Sequence, residues 1–244
     1  FTTSRNDPWT RSSSTISETP MDIRTAILNR KSIRGFKPDP VPRDILEKVL
    51  EIACRAPSTM NTQPWEFAVV SGDVLKTVAR ENVKMLRGGV MIQPEHVITG
   101  WPNRSVFRER QVEVARRIFR LMGIPREDRE KRSAWMERGF RFFDAPAAII
   151  VLTDTALSES GPLMDIGAVM QSICLAALSF GLGTCIEDQG VMYPASLRSL
   201  LNIPDSKRIL ISIAIGYPDP DFPANRVESP REEISNIARW YGFD

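Results

Sequence analysis

The stretch "NRKSIRGF" at residues 29–36 sets three cations, Arg30, Lys31 and Arg34, around the hydroxyl of Ser32. Guanidinium forks and a hydroxyl are the groups that grip a phosphate dianion. Cations at a helix C-terminus also complement its dipole with no ligand at all, and on this segment alone the two readings are level. A second polar set follows in "APSTMNTQPW", a loop held by Pro57 and Pro64 that carries Ser58, Thr59, Asn61 and Gln63. Its neutral donors and acceptors suit polyol hydroxyls or the edge of a heterocycle, or they simply make a turn; Trp65 reads as core. In "GLGTCIEDQG" small residues bring the backbone to a strand end, where amides from Glu187 to Gly190 meet a ligand or only reverse the chain. "ANRVESPR" adds Arg226 and Arg231, as ligand contacts or as solvated surface charge.

Much chemistry is excluded. The one histidine, His96, lies in a loop flanked by Gly and Pro, and no GxSxG stretch exists, so a Ser-His-Asp or Cys-His centre lacks its base. One imidazole without clustered Cys or Glu argues against a transition-metal site. Cys54, Cys174 and Cys185 are odd in number and scattered, which fits a reducing cytosol better than a disulfide framework. There is no GxxxxGK[ST], and "GLGTCI" has Ile186 where a dinucleotide fingerprint needs its third glycine. A net charge of +2 gives nucleic acid little to hold. The longest apolar run, "APAAIIVL", is strand-sized, too short for a membrane span.

Periodicity and stop signals predict the elements that must position these residues. Residues 1–20 read as a flexible Ser/Thr-rich arm without an apolar signal-peptide core, and 21–244 as one domain. Helices are expected over 22–30, 44–55, 73–86, 103–122, 127–138, 163–180 and 194–201, with a long irregular connection over 88–102. Strands are expected at "EFAVV", "AAIIVL", after "GLGTCI" begins, and at "RILISIAIG". The helix at 163–180 is nearly all apolar and belongs in the middle of the molecule. The mixed order indicates an α+β layer fold rather than regular βαβ winding.

"RKSIRGF", "PVPRDILEKVLEIACRAPSTMNTQPWEFAVV", "DIGAVMQSICLAALSFGLGTC" and "IGYPDPDFPANRVESPR" occur in this order from about Met21 to the C-terminus. Together they resemble the nitroreductase family of FMN-dependent oxidoreductases, and the Arg-rich insert before the second strand resembles members that reduce nitrobenzoates. The resemblance implies an α+β nitroreductase-like fold, a small mostly antiparallel sheet flanked by helices, in an interlocked cytoplasmic homodimer with FMN at its interface. It implies that Arg30, Ser32 and Arg34, with Lys31 beside them, hold FMN from one subunit. Pro57, Ser58, Thr59 and Asn61 would reach the same flavin from the other, with Gln63 supporting the loop. Backbone at Glu187, Asp188 and Gln189 would meet flavin N5, and Arg231, helped by Arg226, would close on the phosphate. Two departures stand out: Glu187, Asp188 and Gln189 replace a smaller, glycine-containing stretch, and Ser229 stands where some members have a second basic residue.

The implied reaction is ping-pong transfer of hydride from NADH or NADPH through FMN to a nitroaromatic or quinone-like acceptor, with no catalytic side chain required because the flavin carries the chemistry. Lys31 is the candidate cation near flavin N1. From Arg104 to Arg132 there are ten Lys or Arg against five Asp or Glu. Arg108 and Arg110 are candidates to steer an anionic substrate, against a solvated basic helix face. Rival readings are a reductive dehalogenase or other flavin redox enzyme of the same fold, a non-catalytic FMN-binding protein, and a nucleic-acid binder.

Overall fold

In the computed structural model, residues 22–97 and 100–243 are described; the expected N-terminal arm lies outside them. The helices are α1 (Ile23–Asn29), α2 (Arg43–Ala53), α3 (Gly72–Arg87), α4 (Val106–Leu121), α5 (Arg129–Phe140), α6 (Leu163–Leu178), α7 (Pro194–Leu201) and the single turn α8 (Ile234–Ile237). The strands are β1 (Glu66–Ser71), β2 (Ala147–Asp154), β3 (Gly183–Glu187) and β4 (Lys207–Gly216), in the spatial order β1-β2-β4-β3 with every pairing antiparallel. The fold is therefore α+β with a small antiparallel sheet flanked by helices. None of the described helices is long and apolar enough to cross a membrane.

The sheet is buried on both faces because its central strands are apolar over most of their length, with Thr153 and Ser212 as buried polar exceptions. In β2, Ala147, Ile149 and Val151 face the layer of α2 and α6, while Ala148, Ile150 and Leu152 face the layer with α3, α7 and Phe142. This is the two-residue period of a strand. Strand β4 breaks it once: Val151 pairs with Ile211 and Leu152 with Ile209, so Leu210 is the extra residue of a bulge. Leu210 and Ile211 consequently both enter the α2/α6 layer.

Two expectations are corrected. Helix α1 ends at Asn29, and residues 30–36 run alongside β3 instead of bending off a helix end. The Ile33 N–H donates to the Thr184 carbonyl at 2.9 Å, and Ser32 bridges Thr184 while Phe36 bridges Pro218. Residues 30–36 take this extended course because Ile33 and Gly35 gain burial against the sheet edge. Second, α6 does not lie wholly inside. Ile166, Val169 and Ile173 are buried, but Met164 is 86% exposed and Gly167 and Gln171 share the open side.

The added edge depends on close approach. A Cβ on Gly35 would lie 2.0 Å from Cγ of Phe222, and one on Gly183 would lie 2.5 Å from the Ile33 side chain. Gly35→Ala is expected to destabilise the protein by about 2 kcal/mol through overpacking, measurable as a lower urea midpoint at unchanged m-value. Smaller side chains at Phe222 should recover part of that loss.

Candidate functional site

The extended course of residues 30–36 decides which side chains share a face. Alternation sets Arg30, Ser32 and Arg34 on one side, half-buried, with Ile33 and Gly35 buried on the other. Lys31 falls on the Ile33 side and is exposed, so the structure separates it from the trio it was grouped with. Among the described residues, neither Arg30 nor Arg34 has a carboxylate partner; the Arg34 guanidinium reaches only the Ser32 carbonyl, at 3.4 Å. Two free guanidinium groups flanking a hydroxyl form a donor set matched to a phosphate dianion.

The backbone of this segment is held from two directions. Asn225, 4% exposed, sits in the 3₁₀ turn Pro223–Arg226. Its Oδ1 accepts from the Arg34 N–H at 2.7 Å and the Gly35 N–H at 3.1 Å; its Nδ2 donates to the Gly35 and Asp219 carbonyls at 2.7 and 2.8 Å. From α5, Arg138 donates to the Arg34 carbonyl at 3.1 Å, pairs with Asp144 at 2.8 Å and stacks over the Phe222 ring. Sequence reasoning missed both residues. Asn225 stands inside the quoted "ANRVESPR", but a turn asparagine gives no sign of the partners it will find 190 positions upstream.

Strand β3 brings Glu187, Asp188 and Gln189 to the same end of the sheet as Arg34. The Glu187 carboxyl turns inward: the Ser212 hydroxyl donates to it, and the Gly190 N–H donates at 2.9 Å. The Gly190 amide is thus occupied, which corrects the expectation of four amides free for a ligand. Gln189 turns toward α5, where Nε2 donates to the Met136 carbonyl at 3.0 Å and the absent Cβ of Gly139 leaves room for its amide. Buried Asn82 of α3 donates to the Phe140 and Gly190 carbonyls at 3.1 and 3.0 Å, fixing this turn from below. Burial pushes the Glu187 carboxyl up to about 8, against the hydrogen bonds of Ser212 and Gly190 and with Asp188 adding repulsion. Beside Ser32 and Arg34, burial holds the Cys185 thiol at about 11, so it is no nucleophile.

The "APSTMNTQPW" loop lies elsewhere in the chain. Gln63 Nε2 donates to the carbonyl and side chain of Asn61, each at 3.2 Å, and the Gln63 N–H donates to Ser58 at 3.0 Å. Met60, Asn61 and Gln63 hold φ of 49, 60 and 47°, the left-handed region that non-glycine residues enter at a cost. The loop docks on the start of α6, where Asp165 accepts from the Thr59 N–H at 3.1 Å. Arg30 instead neighbours Cys174, nine residues further along α6, which is roughly 14 Å of axial rise. Pro57, Ser58, Thr59 and Asn61 are therefore set apart from Arg30, Ser32 and Arg34 along α6.

Arg226 belongs to the Asn225 turn, with its guanidinium on the Asp221 carbonyl at 3.3 Å. Arg231 lies beside α4, its hydrogen bonds directed to Ser229 and Pro230 of its own loop. The steering pair also divides. Arg110 pairs with Glu232, whereas Arg108 lies on another face of α4.

A model of the Nitroreductase family matches residues 27–217 of the chain. This chain belongs to the nitroreductase family. A nitrobenzene nitroreductase of Ectopseudomonas oleovorans is 32% identical over 216 residues, 88% of this chain and 95% of that protein. A 4-nitrobenzoate reductase of Pseudomonas putida is 28% identical over 226 residues, 91% of this chain and 97% of its own length. Among solved structures, an FMN- and NADPH-dependent nitroreductase, NfnB from sphigopyxis sp. strain HMH, superposes with a TM-score of 0.84 at 30% identity, covering 91% of this chain and all of its own. In this family member the matched span includes the cation trio, the polar loop and β3, and leaves Asn225, Arg226 and Arg231 outside.

Two outcomes test the construction. Asn225→Leu, similar in size, leaves the Arg34 and Gly35 N–H groups without their acceptor and should cost about 2 kcal/mol or more in chemical denaturation. For Glu187, the folded value near 8 lies above its ordinary 4.5. The folded chain keeps a proton that the unfolded chain has released, so this stabilisation is complete below about 4.5 and is lost as pH rises through about 8. Melting temperature should therefore fall between about pH 5 and 8, and Glu187→Gln should flatten that slope.

Proposed function

We propose that this family member is an FMN-dependent NAD(P)H oxidoreductase that reduces nitroaromatic or quinone-like acceptors. The observation that carries the reading is the face of Arg30, Ser32 and Arg34, two cations without carboxylate partners flanking a hydroxyl beside the β3 terminus. The donor set fits the phosphate of FMN. The names of the relatives, nitrobenzene and 4-nitrobenzoate reductases, support the acceptor class, and the FMN and NADPH dependence stated for the similar structure supports cofactor and donor.

When bound, FMN supplies hydride transfer through N5, from NADH or NADPH to the acceptor in two half-reactions. The chain's own residues bind and orient. Arg30, Ser32 and Arg34 neutralise the phosphate, while Asn225 and Arg138 hold the backbone that aims Arg34. The turn at Glu187, Asp188 and Gln189 offers its remaining amides to the isoalloxazine edge, and neutral Glu187 beneath it adds no charge that would oppose flavin reduction. Ser58, Thr59 and Asn61, in a loop held by Pro57 and braced by Gln63, contact the flavin held by another chain. Arg226 and Arg231 close on the phosphate.

That last division makes the enzyme a homodimer with shared FMN sites, each domain running from 21 to 244. Support comes from the separation of the polar loop from the cation trio along α6, and from apolar side chains a lone chain leaves in water. Met60 is 92% exposed, Met164, Leu28 and Ile23 lie open on the loop, α6 and α1, and Trp240, Tyr241 and Phe243 lie open near the C-terminus. Large apolar side chains left this open suit burial against a second chain. Cysteines without disulfides agree with a cytoplasmic setting.

Purified protein is expected to be yellow, to bleach on addition of NADPH or NADH and to regain colour with 4-nitrobenzoate. Flavin that binds but stays oxidised with both nicotinamides would show a carrier rather than an enzyme. Arg30→Ala and Arg34→Ala should each weaken FMN retention by about tenfold or more, since a charge-assisted contact to phosphate is lost, while the dimer persists in sedimentation.

A further inference from the structure

Five arginines, Arg108, Arg116, Arg120, Arg126 and Arg132, line one cleft between α4 and the start of α5, with a volume near 670 Å³ and no carboxylate on its wall. Among the described residues, none of the five forms an ion pair, although carboxylates are close at hand. Elsewhere on α4, Arg110 pairs with Glu232 and Arg117 with Glu113, and at the start of α5 Lys131 pairs with Asp128. Helical spacing explains the sorting: residues 108, 112, 116 and 120 form one row, and Val112 occupies the only place in it that is not arginine. Like charges at Arg116 and Arg120, four apart, cost the isolated helix a few tenths of a kcal/mol. Glu109 faces a smaller adjoining cleft together with Arg104 and Arg108, and Glu113, near Arg116, is taken by Arg117.

The floor is apolar. Val112, Phe119 and Ile124 line it, and the Arg132 guanidinium stacks 4.8 Å from the Phe119 ring centroid. A monoanion the size of benzoate would leave most of the guanidinium charge uncompensated, and inorganic phosphate would leave the floor wet. The volume falls in the range of small-molecule sites, about 300–1,000 Å³. A planar heterocycle bearing more than one phosphate group satisfies charge, floor and size together. None of the cation trio lines this cleft, so it is separate from the face assigned to the FMN phosphate.

We propose that this cleft binds a purine nucleotide carrying at least two phosphate groups, its base against Phe119 and its phosphates on Arg108, Arg116 and Arg120. Two sources share that chemistry: the bisphosphorylated adenosine half of NADPH, in which case the site selects NADPH over NADH and the inference rests on the function proposed above, or a free nucleotide acting as effector.

The test is calorimetric titration of adenosine 2′,5′-bisphosphate into the purified protein, the Arg116→Gln/Arg120→Gln double variant, and Arg80→Gln on exposed α3 as control. The wild type and the control should bind alike and the double variant about tenfold or more weaker. Competition between the bisphosphate and NADPH in flavin reduction assigns the site to the donor; binding without competition assigns it to a separate nucleotide. No saturable binding by the wild type, equal binding by the double variant, or benzoate or inorganic phosphate binding as tightly as the bisphosphate would overturn the proposal. Calorimetry does not require flavin turnover, so loss of the nucleotide site and failure of the nitroreductase reading give different results.

Discussion

One buried amide sets the geometry on which the cation trio depends. Asn225 satisfies two N–H groups and one carbonyl of residues 34–35 and ties them to Asp219 beyond β4. Without those partners, an extended segment at a sheet edge would expose backbone groups that water satisfies only when the segment leaves. Glycine at 35 follows, because the same turn presses Phe222 onto it. Arg138 then closes from α5, using its guanidinium for the Arg34 carbonyl, the Asp144 carboxylate and the Phe222 ring together. A motif near the N-terminus is therefore shaped by a turn near the C-terminus.

Charge is distributed by the same logic. Where arginines serve structure they are paired: Arg198 makes several bonds with Glu95, and Arg87 and Arg141 converge on Glu137. Among the described residues, Arg30 and Arg34 at the β3 edge and the five arginines of the α4 cleft are among the cations that have no carboxylate partner. Because exposed pairs contribute little to stability, leaving these arginines unpaired costs the fold little and preserves attraction for an anion. At the β3 terminus burial raises both the Glu187 carboxyl and the Cys185 thiol, so neither of these two groups adds negative charge near Arg34 at neutral pH.

The polar loop carries strain of a different sort. Three residues in the left-handed region persist because Asp165, Ser58 and Gln63 over-determine the loop. It presents its donors near the start of α6, whereas Arg30 lies further along that helix. The open side of α6 and the exposed Met60 border this gap, which is where the proposed second subunit contributes.

Most of the secondary structure was legible in the amino-acid sequence. Apolar continuity marked β2 and β4, periodicity marked α2, α3, α4 and α6, and Gly123 with Pro125 marked the end of α4, because these signals act over a few neighbouring residues. The ordered set of "RKSIRGF", "APSTMNTQPW" and "GLGTC" also carried the family. Tertiary structure alone decided that residues 30–36 are extended, since the gain comes from burying Ile33 and Gly35 against residues some 150 or more positions away. It alone separated Lys31 from Arg30 and Arg34, because which face a side chain takes depends on the local backbone period. It alone turned Glu187 inward and made Asn225 a clamp: a polar residue's partners are set by what the folded chain brings within about 3 Å, and no local pattern encodes that distance.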